Sequence, residues 1–177
     1  MTPAERFDEL FRDHHAPILR YLQRRTGASE AADLAAEVFL VAWRRLDETP
    51  PDTALLWLYG VAHRVLANHR RGQRRRAHLA AELADSLRRA TPADEPTTLG
   101  LHVRAALATL SADDREVLTL ALWEELRPAE IAAVIGMSPG TVRVRLHRAR
   151  SRLREALATK AEDPVVARNR SPAEQPA

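Results

Sequence analysis

The chain has 177 residues, of which 45% are hydrophobic, enough for one ordinary domain or two small ones and too many for wholesale disorder. It has no cysteine, which excludes disulfides and cysteine-ligated zinc and fits a reducing cytoplasm, where we expect the protein to work. No stretch approaches the roughly 20 apolar residues of a membrane span, and the mixed, acidic N-terminus is unlike a signal peptide, so no membrane insertion is expected.

Arginine supplies almost all of the positive charge, because Lys160 is the only lysine. The net charge is only +3, but many arginines are concentrated in two runs that contain no acid. The runs comprise Arg64, Arg70, Arg71, Arg74, Arg75 and Arg76, and Arg143, Arg145, Arg148, Arg150, Arg152 and Arg154. Two separate basic stretches favour two contacts with a polyanion such as a nucleic acid. The alternative is that each run is the solvated face of a helix.

Helical periodicity dominates the N-terminal half, and no segment alternates convincingly in the manner of a strand. A first helix is predicted from the apolar spacing of residues 7–22, and Gly27 ends that segment. Ser29 is predicted to be the N-cap of a second helix, because its hydroxyl can accept a bond from a free backbone N–H. The apolar positions of this helix are Leu34, Val38, Val41 and Leu46, and its other face carries Asp33, Glu37, Arg44 and Arg45.

Two adjacent prolines mark a loop from Asp47 to Thr53, since proline lacks the N–H that a helix needs. A third helix is predicted over Ala54 to Arg71. Trp43 and Trp57 recur with apolar neighbours, which favours core packing of both rings over stacking on bases.

The helical pattern weakens after Gly72, and Thr91–Thr98 is rich in proline, threonine and acids, as is typical of a flexible linker. The pattern returns over residues 101–157, and few large apolar groups remain after Thr159. We therefore predict an all-α chain with two small helical domains at residues 1–76 and 101–158. A linker at 77–100 would join them, and a disordered tail would occupy 159–177.

Residues 128–150 have the pattern of a helix-turn-helix. Pro128 suits the first turn of a helix, where its missing N–H costs nothing. Gly136 permits the left-handed backbone that ends this helix, and Ser138 can cap the next one.

The second helix of this motif divides into an inward and an outward face. Val142, Leu146, Ala149 and Leu153 recur at spacings of four, three and four, so they should face a core. The outward positions are then Thr141, Arg143, Val144, His147, Arg148 and Ser151. Such a surface fits a DNA major groove, where arginine can bond to guanine and an apolar group can touch a thymine methyl. The alternative is an ordinary helical hairpin with a solvated basic face.

Three motifs together resemble the extracytoplasmic-function (ECF) sigma factors. LSADDREVL at 110–118, EIA at 130–132 and GTVRVRLHRAR at 140–150 are similar to region 4, which binds the −35 promoter element. ADLAAEVFLVAWR at 32–44 is similar to region 2.2, which grips the clamp of the polymerase β′ subunit. WLYGVAHRVLANHRR at 57–71 is similar to regions 2.3 and 2.4, which open and read the −10 element. The absence of a third globular domain between these regions also points to the ECF class.

The resemblance implies three sets of binding residues. Core polymerase would be bound by Asp33, Leu34, Glu37, Val38, Val41 and Arg44. The melted −10 strand would be bound by Arg64, Asn68, His69, Arg71, Arg74 and Arg75, with a flipped base near the loop at 47–53. The −35 duplex would be bound by Ser138, Gly140, Thr141, Arg143, Val144, His147 and Arg148.

The implied partners are core RNA polymerase, through its β′ clamp and β flap, promoter DNA and an anti-sigma factor. No Ser/His/Asp set, metal cluster or phosphate loop is evident in the sequence, so we expect no enzyme activity, no metal and no cofactor. Two other interpretations stay open at this point: a stand-alone helix-turn-helix regulator and a structural helical adaptor. The helix at 33–43 followed by a basic helix argues against the first, and the two arginine runs argue against the second.

Overall fold

The computed structural model describes residues 2–83, 103 and 105–161, with side chains to residue 76 in the first range and to residue 158 in the last. Within these ranges the ordered elements are all helices, as predicted, and there is no strand. None of the helices described is long and apolar enough to cross a membrane. The chain divides into two compact units, Met1–Ala93 with Ala133–Gly136, and Asp94–Ala132 with Met137–Ala177.

The first unit begins with α1, Pro3–Gln23, which has a complete capping box. The Thr2 hydroxyl accepts a bond from the backbone N–H of Glu5 at 3.2 Å, and the Glu5 carboxylate accepts one from the backbone N–H of Thr2 at 2.6 Å. Ile18, Tyr21 and Leu22 of α1 are fully buried in the core of the unit.

The second helix, α2, spans Ala28–Arg44, so the prediction that Ser29 caps it is wrong. Gly27 is the N-cap, with extended backbone (φ −84°, ψ 163°), and its carbonyl accepts from the N–H of Ala31 at 3.0 Å. Ser29 therefore lies inside the first turn. Leu34, predicted to be an apolar position of this helix, packs in the core.

The loop after α2 consists of two short 3₁₀ turns, Leu46–Glu48 and Pro51–Thr53. Arg6 of α1 holds the first turn, because its guanidinium donates to the Asp47 carboxylate at 3.1 Å and to the Leu46 carbonyl at 3.2 Å. Leu46, predicted as the last apolar position of α2, is buried in this turn rather than in the helix.

The third helix, α3, spans Ala54–Leu83 and is twelve residues longer than predicted. Gly72 does not end it, since a mid-helix glycine costs only about 1 kcal/mol and the residues that follow are mostly arginine, alanine and leucine, which favour helix. The first seven residues of the predicted linker, 77–83, are thus helical. The rest of the linker, including Thr91–Thr98, and the tail beyond Ala161 lie outside the described residues.

The prediction that Trp43 packs in the core is wrong, because its side chain is 46% exposed. It lies at the edge of an aromatic cluster between α1 and α2. Its ring meets Phe7 edge-on at 5.2 Å between centroids, and Phe11 meets Phe39 at 4.8 Å. Trp57 is half-buried, with the guanidinium of Arg45 5.8 Å from its ring centroid.

The rest of the described chain contains helical residues at 105–108 and three helices: α4, Ala112–Trp123; α5, Pro128–Ile135; and α6, Pro139–Ala161. All of them belong to the second unit except residues 133–135 of α5, which are grouped with the first. Arg115 ties the turn at 105–108 to α4, donating to the carbonyls of Leu107 at 2.9 Å and of Ala108 and Leu110 at 3.3 Å.

The turn between α5 and α6 has the predicted chemistry. Gly136 has φ +73°, and the N–H of Met137 donates to the Ala132 carbonyl at 3.1 Å, which is the usual closure of a helix that ends on a left-handed glycine. The Ser138 hydroxyl accepts from the Thr141 N–H at 3.1 Å and caps α6. Pro128 begins α5, as predicted.

Candidate partner and nucleic-acid interfaces

An exposed stripe runs along α2. Asp33, Glu37, Leu40 and Arg44 are separated by four, three and four residues, so they share one helix face, and all four are exposed. Leu40 is 47% exposed, unusual for a leucine in the middle of a helix. The stripe thus combines two acids, one apolar side chain and one arginine, a combination suited to a protein partner rather than to solvent alone.

Two residues expected to bind the polymerase face the other way. Leu34 and Val38 are 3% and 0% exposed and pack between the helices of the first unit, so they have no surface to offer a partner. Val41 is half-buried. The motif resemblance covers both faces of the helix from Ala32 onward, whereas burial separates its core positions from its surface positions. The sequence analysis did not predict Leu40 as a surface residue, because it assigned Leu40 neither to the apolar face of the helix nor to the charged one.

A second exposed row runs along α3. Arg64, Asn68, Arg71 and Arg75 are again separated by four, three and four residues, and all are exposed. The opposite face is buried through Leu58, Val61, Ala62, Val65 and Leu66. The Arg71 guanidinium donates a hydrogen bond to the Asn68 side-chain oxygen. The face is a cationic track with one amide group among the guanidiniums, which suits a phosphate backbone and a base edge.

His69, a predicted −10 residue, is half-buried beside this row. Its Nε2 lies 2.9 Å from the amide nitrogen of Gln73 and 3.6 Å from a carboxylate oxygen of Glu30 in α2. Gln73 also donates to Glu30 at 3.1 Å. These contacts hold the start of α2 against α3, so His69 has a structural task in addition to any contact with DNA.

Paired charges stiffen the loop before α3. Arg45 donates to the Glu48 carboxylate, and this hydrogen bond lowers the pKa of Glu48 and raises that of Arg45. The Thr49 hydroxyl donates to the Arg45 carbonyl at 3.3 Å. The loop at 46–53 is thus held by internal bonds and by Arg6 of α1.

In α6 the structure separates inward from outward residues much as the spacing predicted. Val142, Leu146 and Ala149 are buried, and Leu153 is half-buried. Of the predicted outward residues, Ser151 is half-buried and donates to Glu155 at 3.1 Å, and the remainder are exposed. Arg143, His147, Arg150 and Arg154 follow the four-three-four spacing and form one exposed row. Ser138 and Gly140 lie at the exposed start of the helix.

A groove of about 540 Å³ lies beside this row, between α6 and the start of α4. Its α6 wall is formed by Gly140, Thr141, Val144, Arg145, Arg148 and Arg152, and its α4 wall by Ser111 and Asp114. Asp114 is only 7% exposed and accepts from Arg152 at 2.9 Å. The sequence analysis did not single out Asp114, because an aspartate within LSADDREVL is expected to be exposed and no sequence pattern there indicates that it is buried.

The start of α5 is fixed by Glu130. Its carboxylate accepts a bond from the backbone N–H of Arg127 and another from the Arg127 guanidinium, both at 2.7 Å. The hydrogen bond from the Arg127 guanidinium lowers the pKa of Glu130 most, and the bond from the Arg127 backbone N–H lowers it further. The bond to Glu130 in turn raises the pKa of Arg127.

Family models match both parts of the chain. Residues 10–76 match sigma-70 region 2, and residues 101–153 match sigma-70 region 4.

Curated relatives and a solved structure agree with these matches. The ECF RNA polymerase sigma factor SigL of Mycobacterium tuberculosis is 34% identical over 84% of this chain and 86% of its own length. SigE of Mycolicibacterium smegmatis is 32% identical over 86% of this chain, which spans 62% of that protein's length. The structure of the sigma factor RpoE in complex with the anti-sigma factor NepR from Bartonella quintana is similar at a TM-score of 0.66, with 25% identity over 86% of this chain and 96% of that one.

Proposed function

Because this chain belongs to the extracytoplasmic-function family of RNA polymerase sigma factors, we propose that it binds core polymerase and directs it to promoters for transcription initiation. The first unit would bind the polymerase and the opened −10 strand, and the second would bind the −35 duplex. The observation that carries this proposal is the pairing, in one small unit, of the α2 stripe with the basic row of α3. A protein that bound only duplex DNA would need no such pairing.

The α2 stripe is the proposed polymerase contact, against the β′ clamp. Asp33 and Glu37 present two carboxylates one helical turn apart, which can pair with basic side chains of a partner. Leu40 lies one further turn along and supplies an apolar anchor that becomes buried on binding. We retain Arg44 and Val41 in this contact and leave out the two core residues, Leu34 and Val38. The second unit would contact the β flap.

The basic row of α3 is the proposed contact with the melted −10 strand. Opening a duplex costs pairing and stacking energy, which a sigma factor can offset by holding the separated strand. Arg64, Arg71 and Arg75 share one exposed face of α3 and would bind phosphates of the strand, together with the exposed Arg74. Asn68 lies within the row and can bond a base edge. The braced loop at 46–53 would receive a flipped base.

The exposed side of α6 is the proposed reader of the −35 duplex. Arg143 and His147 share one row, while Thr141, Val144 and Arg148 line the adjoining groove. Ser138 and Gly140 lie at the helix start, where free backbone N–H groups favour a phosphate.

We further propose that the protein carries out no covalent chemistry, acts in the cytoplasm and is held inactive by an anti-sigma factor. The anti-sigma partner is inferred from the similar RpoE chain, which was solved together with NepR.

Reconstitution tests the proposal directly. The purified chain is added to core polymerase, and run-off transcription is measured on a library of genomic fragments. We expect transcripts that begin at defined sites and require both the chain and core enzyme. Tight binding to a duplex without polymerase, and no transcription with it, would instead identify a stand-alone regulator.

A further inference from the structure

One buried carboxylate in the second unit holds two arginines of α6. Asp114 Oδ2 accepts from Arg152 at 2.9 Å, and Asp114 Oδ1 lies 3.7 Å from the Arg145 guanidinium. Arg145 also donates to Asp113 at 2.9 Å. The Asp114 backbone N–H donates to the Ser111 hydroxyl at 3.1 Å, so the carboxylate is fixed to the capped start of α4.

The spacing of these arginines matters. Arg145 and Arg152 are seven residues apart, two turns along the same side of α6. A single buried carboxylate that is hydrogen-bonded to Arg152 and ion-paired with Arg145 constrains how far α6 can slide along α4 or rotate about its own axis. Of the residues proposed to read DNA, His147 and Arg148 lie between the two anchor points, and Val144 immediately precedes the first of them.

We propose that Asp114 is a positioning residue for promoter recognition: by clamping Arg145 and Arg152, it sets the orientation in which α6 meets the −35 duplex. This inference rests on the proposed function of the second unit. It separates the arginines of α6 into two classes. Arg145 and Arg152 are held by acids of α4, whereas Arg143, Arg148 and Arg150 are exposed and would contact DNA.

The two classes differ in their dependence on salt. Each phosphate contact contributes about 0.9 to the slope of log affinity against log salt concentration. An arginine neutralised by Asp114 contributes little to that slope in the native protein, and it becomes available for phosphate when the carboxylate is removed. A loss of folding alone would not increase the slope.

The experiment measures binding of the holoenzyme to two promoter fragments that differ only in the −35 element, over a range of salt concentrations. Asp114→Asn should lower the preference for the correct −35 element at least about fivefold, the effect of losing one well-placed base contact. It should also steepen the salt slope by about one, because Arg152 is released. Asp114→Glu, which keeps a carboxylate within reach of both arginines, should restore much of the preference.

Two comparisons provide matched controls. Asp113 is an exposed neighbour that pairs with Arg145, so Asp113→Asn should change the slope by less than Asp114→Asn does. Arg152→Ala and Arg150→Ala each remove one arginine side chain, from positions two residues apart on α6. Arg152→Ala should reduce −35 preference and leave the slope unchanged, whereas Arg150→Ala should lower the slope by about one.

Several results would overturn the proposal. One is an Asp114→Asn variant with wild-type −35 preference and wild-type salt slope. Another is an Arg152→Ala variant whose salt slope is lower by one, because Arg152 would then be a phosphate ligand. If Asp114→Asn does not fold, as judged by helicity, the Arg152 and Asp113 variants still decide the question. A wild-type holoenzyme that shows no −35 preference would refute the proposed function instead.

Discussion

Asn68 and Arg71 are hydrogen-bonded to each other on the exposed face of α3, with the Arg71 guanidinium donating to the Asn68 oxygen. The bond uses the side-chain oxygen of the exposed Asn68, so its amide group can still donate to an acceptor on a base. It also restrains a long arginine side chain that would lose rotamer freedom on binding a phosphate. The pair is therefore partly organised for a strand before any strand is bound.

We predict that Asn68→Ala lowers open-complex formation several-fold more than it lowers initial binding to the closed promoter. The variant removes the amide donors and frees Arg71, and both effects act on the separated strand. Permanganate reactivity of unpaired thymines measures opening, and a short-time filter-binding assay measures the closed complex.

Asn68→Asp serves as the matched control for that experiment. It keeps an oxygen acceptor for Arg71, loses the amide donors and adds a negative charge that phosphates repel, so it should lower open-complex formation at least as much as Asn68→Ala does. Equal loss of closed and open complexes in both variants would count against a role in melting.

The α2 stripe leads to a prediction about polymerase affinity. Reversing Asp33 and Glu37 to Lys should weaken binding to core polymerase at least tenfold, because two favourable charges become unfavourable. Leu40→Ala should weaken binding by a smaller factor, through lost apolar contact. Titration with fluorescently labelled core enzyme gives the affinities, and circular dichroism checks helicity.

Leu34→Ala is the contrasting variant on the same helix. Because Leu34 is buried, truncation should lower the free energy of unfolding by roughly 2–5 kcal/mol, whereas Leu40→Ala should change it by about 0.5 kcal/mol or less. The polymerase assignment of the stripe fails if Leu40→Ala and the double reversal both leave core affinity at the wild-type value.

The recognition helix should show two kinds of arginine. Arg143→Ala or Arg148→Ala should remove roughly 1–3 kcal/mol of discrimination at one base pair of the −35 element. Arg154→Ala should weaken binding evenly across sequences and lower the salt slope by about one. Transcription from a randomised −35 library distinguishes these patterns. Unaltered sequence preference in both the Arg143 and Arg148 variants would show that α6 is not the reader.

The Arg127–Glu130 pair predicts a pH dependence of stability. The folded-state pKa of Glu130 is lowered, so its contribution is complete above the unfolded-state pKa and is lost as the pH falls through the folded-state value. At neutral pH, Glu130→Gln should therefore have a lower melting temperature than the wild type. The gap should close as the pH drops below about 4, the range in which an ordinary glutamate takes up its proton. Thermal melts of both proteins across this range provide the measurement, and a gap that persists in acid would contradict the assignment.

The sequence predicted most of the helices and the division of α6 into faces, because both follow from the 3.6-residue period. The predictions were wrong where contacts between distant parts of the chain determine helix length or burial. Gly72 is a poor helix former, yet α3 passes through it, and Trp43 has apolar neighbours, yet its ring lies at an edge. The burial of Asp114 depends on arginines 31 and 38 residues further along the chain, as given by the numbering, and no local pattern encodes that encounter.

The alternation of buried and exposed rows along α6 has an evolutionary consequence. Val142, Leu146 and Ala149 support the fold, while Arg143, Val144 and His147 face outward and carry little of the packing. Substitutions at the outward positions can accumulate with small effects on stability, since surface changes are usually within about 0.5 kcal/mol. A duplicated copy of this protein could therefore acquire a new set of target genes by a few changes on one helix face. The same separation makes those three positions the natural ones to randomise when building transcription circuits that do not interfere with one another.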